Sequence, residues 1–485
     1  MRALTLVHRW LGILFCLLFA IWFASGIVMH FVQFPSLTEA ERIDGLAPFD
    51  LSQALLGAAD AVRASGMKDA DRVRLLQRSD GLVYLVSGIS GVRALRAADL
   101  SDAAIGSESL ALAIAADHAR RRGLNAGQAA FAELAAYDQW TVSGAQNRHF
   151  PLYRIALNDG AGTDLYVSLA TGEVVSETTR RERRWNYVGS IAHWIYPAVL
   201  RSKPAVWNAT LWWLSLAALI TAIAGSLLGV SRMRLTRRRV GSPYQGWQKW
   251  HHLLGLACMT FVLSWTFSGW LSMDSGRLFS TGALIAQEAG KVAAAPAWDS
   301  LSKEARVSAS ETAKEIEWFA FDGKFYRRER TGLDTQRLFS VGDAVLPAGP
   351  REFLHPREVS LFVERLSPHC VVPVVIAVDD NYAIPSSMPH APVYRSVCGD
   401  IWYHVDGASG AILERSDRSR RAYRWLYSAL HRMDIPALNA RPMLRSTLIV
   451  LLCGCGFIFS MTAVVIGWRR LRLRLSAFAP SGPTP

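Results

Sequence analysis

Charge is what this sequence has little of. Asp, Glu, Lys and Arg make up 19% of its 485 residues, below the ~25% of soluble proteins. The 51% of hydrophobic residues rules out a disordered chain. Six cysteines over this length exclude a disulfide-stapled scaffold. No phosphate loop, zinc-protease motif or dinucleotide fingerprint occurs, and no Ser/His/Asp set stands out. Acidic residues number 40 against 53 basic ones, for a net charge of +13 and a pI near 9.7. Nucleic acid is the first suspicion for such a balance, but the placement of the cations points to a bilayer and to no nucleic acid.

Length allows about three domains. Four stretches contain no Asp, Glu, Lys or Arg: Trp10 to Thr38, Pro204 to Ser231, Trp250 to Met273 and Ser446 to Trp468. Each reaches the ~20 apolar residues that span a bilayer, and they read as four transmembrane helices. Arg2 and Arg9 precede the first. Arg232, Arg234, Arg237, Arg238, Arg239 and Lys249 fill the loop between the second and third. Arg469, Arg470, Arg472 and Arg474 follow the fourth. Lys/Arg-rich short segments mark the cytoplasmic side, so both termini are expected there. Arg180, Arg181, Arg183 and Arg184, and later Arg415, Arg418, Arg420, Arg421 and Arg424, then fall outside; long domains translocate largely regardless of charge. Cys370 and Cys398 share the second outer segment and can pair in an oxidising compartment, or remain two thiols.

The chain is a duplication. Shifted by 243 positions, His8, Leu11, Gly12, Trp22, Ser25 and Gly26 meet His251, Leu254, Gly255, Trp265, Ser268 and Gly269. Shifted by 238, Val167, Gly172, Arg180, Arg183, Ser190, His193, Pro204 and Gly229 meet Val405, Gly410, Arg418, Arg421, Ser428, His431, Pro442 and Gly467. Both halves start on the same side, so the natural pseudo-twofold axis lies along the membrane normal. The expected organisation is a membrane helix over 1–38, an outer α+β domain over 39–185, an interfacial segment and second helix over 186–235, and a cytoplasmic loop over 236–249. The third helix takes 250–273, a second outer domain 274–424, an interfacial segment and fourth helix 425–474, and a cytoplasmic tail 475–485. Within the outer domains, 109–122 has helical spacing. Leu152–Leu157, Asp164–Ser168 and Glu173–Ser176 read as strands, and the last hairpin recurs over Trp402–Val405 and Ala411–Glu414. The Ala- and Gly-rich residues 280–300 read as a flexible link.

The notable polar residues are histidines at membrane-helix ends, in two repeat-related pairs: His8 with His251 on the cytoplasmic side, His193 with His431 on the outer side. About a pseudo-twofold, such a pair can converge on one object at the axis. A haem iron has two opposite axial positions that suit two imidazoles, and a bundle core between facing helices is a usual place for such a group. Alternatives remain. His30 lies 22 residues after His8, about 33 Å along a helix and only about 40° around it; its repeat equivalent is Met273, and His/Met ligation of haem is known. His252, beside His251, is a further alternative ligand. His369, Cys370, Met388, His390 and Cys398 include soft ligands suited to copper, but without tight spacing they read as loop residues or a disulfide. The Trp-rich stretches, Trp207/Trp212/Trp213 and Trp247/Trp250, read as interfacial belts.

His8-Arg-Trp-Leu-Gly12 opening a membrane helix, and Leu-His431 after Trp402-Tyr-His-Val-Asp-Gly-Ala-Ser-Gly410, resemble the signature of PepSY-associated transmembrane proteins. Two such units cover nearly the whole chain. Some members are di-haem ferric-siderophore reductases of the bacterial inner membrane. The resemblance implies two periplasmic PepSY-like domains on four transmembrane helices, and two b-type haems carried by His8, His251, His193 and His431. It implies an oxidoreductase that passes electrons from the cytoplasm, from a flavin reductase or a quinol, to a ferric siderophore or chelate. PepSY domains elsewhere inhibit peptidases or signal, so a non-enzymatic sensor binding a periplasmic protein is the alternative, with a metal or siderophore permease the third reading.

Overall fold

The computed structural model describes residues 1–50, 56–142, 144, 147–236, 239–292, 296–303, 310, 312–341, 349–377, 379–383 and 391–478. They form two compact units. One is built from Met1–Phe34, Arg184–Thr281 and Ser419 onward; the other from Pro35–Arg183 and Gly282–Arg418.

The first unit holds four helices long and apolar enough to cross a membrane: Arg2–Phe31, Pro204–Arg232, Gly246–Leu271 and Pro442–Phe478. At ~1.5 Å per residue each exceeds the ~30 Å hydrocarbon core. The first ends at Phe31, short of the expected Thr38, because Pro35 disfavours helix at the residue before it; the chain runs extended to Thr38, which caps the short helix Glu39–Asp44. Proline opens the second and fourth helices, where a missing N–H costs nothing. The helices pack in a closed ring, each of the first and third against both the second and fourth. The first and third therefore stand on one diagonal and the repeat-related second and fourth on the other, as a pseudo-twofold along the bundle requires. The second and third helices are joined by a small hairpin, Arg234–Thr236 with Arg239–Gly241.

In the second unit the two expected outer domains share a sheet. Strands run in the order Gln336–Val341, Lys324–Arg330, Glu315–Phe321, Ala70–Arg78, Gly81–Gly88, Gly91–Arg96, all antiparallel. Each half contributes a three-stranded meander with an open edge, and pairing Ala70–Arg78 with Glu315–Phe321 closes both edges. Each half adds its own four-stranded antiparallel sheet: Ala130–Ala135 to Val174–Thr178 in the first, Val374–Val375 to Ile412–Ser416 in the second. The expected helix and strands over 109–122, 152–157, 164–168, 173–176, 402–405 and 411–414 all form, with ends shifted by one or two residues. Residues 280–300 do not behave as a link throughout. Ala286–Val292 is a helix whose buried Glu288 accepts hydrogen bonds from the Tyr403 hydroxyl (2.7 Å) and the Arg415 guanidinium (2.8 Å). Cys370 and Cys398 form a disulfide.

The seam shows how a period of two assigns faces. Val73, Leu75, Ile316 and Trp318 point into one core with Tyr84 and Val86. Arg72, Arg74, Glu315 and Glu317 point to the other face. There Glu315, 1% exposed, accepts from Arg42 (2.8 Å), Arg74 and Arg330 (3.4 Å each); Glu317 pairs with Arg72 and Arg328. Burial alone would raise the Glu315 carboxyl, but Arg42 and Arg74 hold it well below the carboxylate range. Glu39, between Arg42 and Arg330, is likewise held at about 2 against its burial. Glu315→Gln should destabilise this unit by about 1.5–3 kcal/mol in a denaturant titration, since Arg42, Arg74 and Arg330 lose a shared buried acceptor while keeping Glu39 and Glu173. A depressed carboxyl contributes stability above its unfolded value near 4.3, lost as pH falls through the folded value. Wild-type stability should therefore fall between about pH 5 and 2, and less steeply in the Gln variant.

Candidate histidine site

The four repeat-related histidines come together as two pairs, one at each end of the helix bundle. His8 on the first helix faces His251 on the third across the diagonal, ring centres 6.3 Å apart and planes at 29°. His193 ends the short helix Ser190–His193 and His431 lies in Leu430–Arg432; their ring centres are also 6.3 Å apart, with planes at 57°. The second pair is held against the first and third helices near Ser25 and Ser268. From His8 to Ser25 is 17 residues, a rise of about 26 Å, so the pairs are separated by most of a bilayer's thickness.

Each ring is oriented through Nδ1. His8 Nδ1 meets the Thr221 carbonyl at 3.2 Å, which can only accept, so Nδ1 carries the proton. His251 Nδ1 meets the Thr462 hydroxyl at 2.9 Å, and that hydroxyl already donates to the Phe459 carbonyl at 2.6 Å. His193 Nδ1 meets Ser25 Oγ at 2.9 Å, with the Ser25 proton committed to the Ile21 carbonyl at 2.6 Å. His431 Nδ1 meets Ser268 Oγ at 3.3 Å, and Ser268 donates to the Trp265 carbonyl. His8 therefore keeps its lone pair on Nε2, and so do the other three where each hydroxyl proton stays on its helix carbonyl; among the described residues no protein hydrogen bond reaches Nε2 of any of the four. Fixing one ring nitrogen so that the other can ligate is how proteins prepare histidine for a metal.

Glycine makes room for these rings. A Cβ on Gly225 would lie 2.5 Å from His8 Cε1, and one on Gly269 3.1 Å from His431 Cε1. At Gly26, its repeat equivalent, a Cβ would make only ordinary contact with His193, 3.9 Å from Cε1. Two residues beyond each second-pair histidine the chain turns through the left-handed region, at Ile195 (φ 46°) and Met433 (φ 51°). These positions correspond under the repeat. Such a conformation costs a non-glycine residue roughly 1–3 kcal/mol and persists only where the surroundings impose it. The Trp207 indole donates to the Trp194 and Ile195 carbonyls of the first turn. Between the pairs the bundle is filled by Phe23, Phe261, Trp265, Cys258, Val262 and Cys453.

The arrangement has a definite coordination count. Among the described residues no group of three or more His, Cys, Asp or Glu is placed to hold a metal ion. Two imidazoles are too few for a bare ion such as zinc, which takes three or four protein ligands. Two are the number a haem iron takes when a macrocycle supplies the rest. An atom bound by opposite imidazoles at about 2.0 Å per nitrogen, with each ring centre roughly 1.15 Å beyond, separates the centres by about 6.3 Å. Both pairs have that centre-to-centre separation, as a haem held by two imidazoles would require.

The alternatives fare differently. His252 has both nitrogens engaged, with Ser242 Oγ and the Gly229 carbonyl, each at 2.9 Å, so it has none for a metal. His30 Nε2 meets Ser446 Oγ at 2.8 Å, and no hydrogen bond or ring contact joins it to Met273 among the described residues. The disulfide removes Cys370 and Cys398 as soft ligands; Met388 and His390 lie outside the described residues. His118 and His404 are single buried histidines, both pulled down to about 4, by burial first and then by Arg122 and Arg395 respectively. Compared with known proteins, the chain matches no family model and no curated protein.

The tautomers are directly measurable. Nitrogen-15 histidine spectra of the cofactor-free protein above pH 7.5 should show His8, His193, His251 and His431 as neutral rings protonated on Nδ1. An Nε2-protonated ring at any of them would remove its ligating lone pair and with it the site as described.

Proposed function

We propose that this chain is a membrane haem protein that carries electrons across the bilayer and reduces ferric chelates on the far side. The observation that carries the reading is the repetition: two histidine pairs, one at each end of an apolar bundle, with the same 6.3 Å span and the same Nδ1 anchoring. His8 and His251 would hold one haem b, His193 and His431 the second. Haem held by these imidazoles would supply a one-electron redox couple, which suits electron transfer. The chain's own residues do the rest. The Ser25, Ser268 and Thr462 hydroxyls and the Thr221 carbonyl fix the ligating nitrogens, and Phe23, Phe261 and Trp265 keep water from the region between the sites. No proton-transferring side chain is required, because reducing iron(III) to iron(II) moves only an electron.

The orientation we infer puts the His8/His251 end at the cytoplasm, where Lys/Arg-rich short segments belong, and the second unit in the periplasm. The Cys370–Cys398 disulfide supports an oxidising compartment for that unit. The resemblance to PepSY-associated transmembrane proteins agrees, and suggests a ferric siderophore as the chelate and a flavin reductase or quinol as the donor.

Purified protein from haem-replete cells should show low-spin, six-coordinate b-type haem bands. His8→Ala or His251→Ala should remove about half of the haem, and His193→Ala or His431→Ala the other half, with His30→Ala and Met273→Ala leaving both. Folded protein without haem bands would end this reading in favour of a sensor.

In vesicles with the His8 end inward and reductant sealed inside, iron(II) should appear outside in the presence of an external ferric chelate and an iron(II) trap. His8→Ala should stop it. Haem that is reduced but that no ferric chelate reoxidises would contradict ferric reduction while leaving haem binding intact.

A further inference from the structure

The two halves are not equal around their histidines. In the second half an aromatic ring lies flat on each one. Phe459 stacks on His251 with centres 4.8 Å apart and planes at 14°. Tyr427 stacks on His431 at 5.7 Å and 24°. Under the 238-residue shift these positions fall on Thr221 and Gly189 in the first half, and neither has a ring. Each aromatic has a local cause. Gly255 faces Phe459, and a Cβ there would come within 3.0 Å of its ring. Tyr427 is brought round by a π-helical turn over Arg424–Ala429, a feature often found at functional sites. The corresponding first-half segment breaks at Gly189, where a Cβ would lie 2.9 Å from Val28. The π turn also shifts the indole anchors. Trp22 donates to the His193 carbonyl, whereas its equivalent Trp265 donates to Leu430, one residue before His431. Behind Tyr427 stands Tyr423, 5.2 Å away, its hydroxyl on the Leu271 carbonyl, so the stacked ring is itself supported.

A hydrogen bond at Nδ1 chooses which nitrogen ligates, but the ring can still swivel about its ligating axis. What lies flat against the ring sets its plane. The pairs differ in that respect, with planes at 29° in one and 57° in the other. Each axial imidazole interacts through its π orbital with one of two iron d orbitals that are otherwise nearly equal in energy. Parallel planes separate those orbitals; crossed planes even them out and widen the anisotropy of the ferric spin.

We propose that Phe459 and Tyr427 are positioning residues that set these planes, making the two haem sites electronically distinct: near-parallel imidazoles at His8/His251 and crossed imidazoles at His193/His431. This rests on the haem reading above and adds to it an electronic difference between the two sites.

The test is low-temperature electron paramagnetic resonance of the full-length ferric protein in detergent. Two low-spin signals are expected, one ordinary rhombic and one with a distinctly larger highest g value. Tyr427→Ala should shift only the large-g signal, and Phe459→Ala only the rhombic one; the signal left alone reports an intact fold. Tyr427→Phe, which keeps the flat face, should restore the wild-type spectrum. If Tyr427→Ala loses the large-g signal altogether, Tyr427→Leu, bulky but not flat, decides: a shifted signal supports the assignment and an unshifted one overturns it. Two coincident wild-type signals, or a Tyr427→Ala spectrum unchanged at both sites, overturn this inference while the haem reading stands. Protein without any haem overturns the haem reading, and this inference with it.

Discussion

Much of the first unit follows from bringing imidazoles together across a pseudo-twofold: His8 meets His251 along one diagonal of the bundle, and His193 meets His431 from two short helices beside it. In a ring of four helices the first and third are diagonal partners, so duplicating a helix pair places copies of one residue face to face. The separation then has to be right as well. Glycines facing His8 and His431 let those rings in, and hydroxyls or carbonyls of the membrane helices packed against them hold all four by one nitrogen. None of these contacts is large in energy. A hydrogen bond to a buried ring contributes about 1 kcal/mol net, but its loss would let the lone pair turn away.

The same constraint accounts for the backbone that leaves the second pair. Ile195 and Met433 occupy a conformation that a β-branched or long side chain normally avoids. A strained turn that recurs at equivalent positions of a duplicated chain is a shared requirement. Here it reverses the chain between a histidine and the following membrane helix. The hydrogen bonds on hand, such as that from Trp207, keep its carbonyls from being left bare at an apolar surface.

Much of this was legible in the residues themselves. Stretches without charge gave the four helices, because length and apolarity decide membrane spans with little help from tertiary context. The repeat pointed to the histidine pairs, and it carried Ser25 and Ser268 along with them, although their role as ring anchors depends on folds of the chain that the repeat does not show. Two things were hidden. The shared six-stranded sheet depends on a pairing between residues more than two hundred apart, which periodicity within either segment cannot reveal. The rings on His251 and His431 were hidden because Phe459 and Tyr427 have no repeat partners, and a comparison of halves sees only what both possess. Residues 280–300 misled through composition: Ala and Gly suggest a loose tether, yet one buried acid, Glu288, with Tyr403 and Arg415 around it, anchors a helix there.

The seam of the central sheet also bears on how the chain is made. Leu76 pairs with Glu315, 239 positions later (315 − 76), which at 5–20 residues per second is a wait of about 12–48 s on the ribosome. Throughout that interval the first meander has an edge with no neighbour, the kind of surface on which nascent chains aggregate. Arg72 and Arg74 lie on that edge. Arg74 finds Glu173 within the first half (2.7 Å), but until Glu317 arrives Arg72 is a cation that repels a second copy of the same strand, and afterwards it is the group that receives the correct one. One side chain thus serves first as a guard against the wrong neighbour during synthesis and later as the lock on the right one.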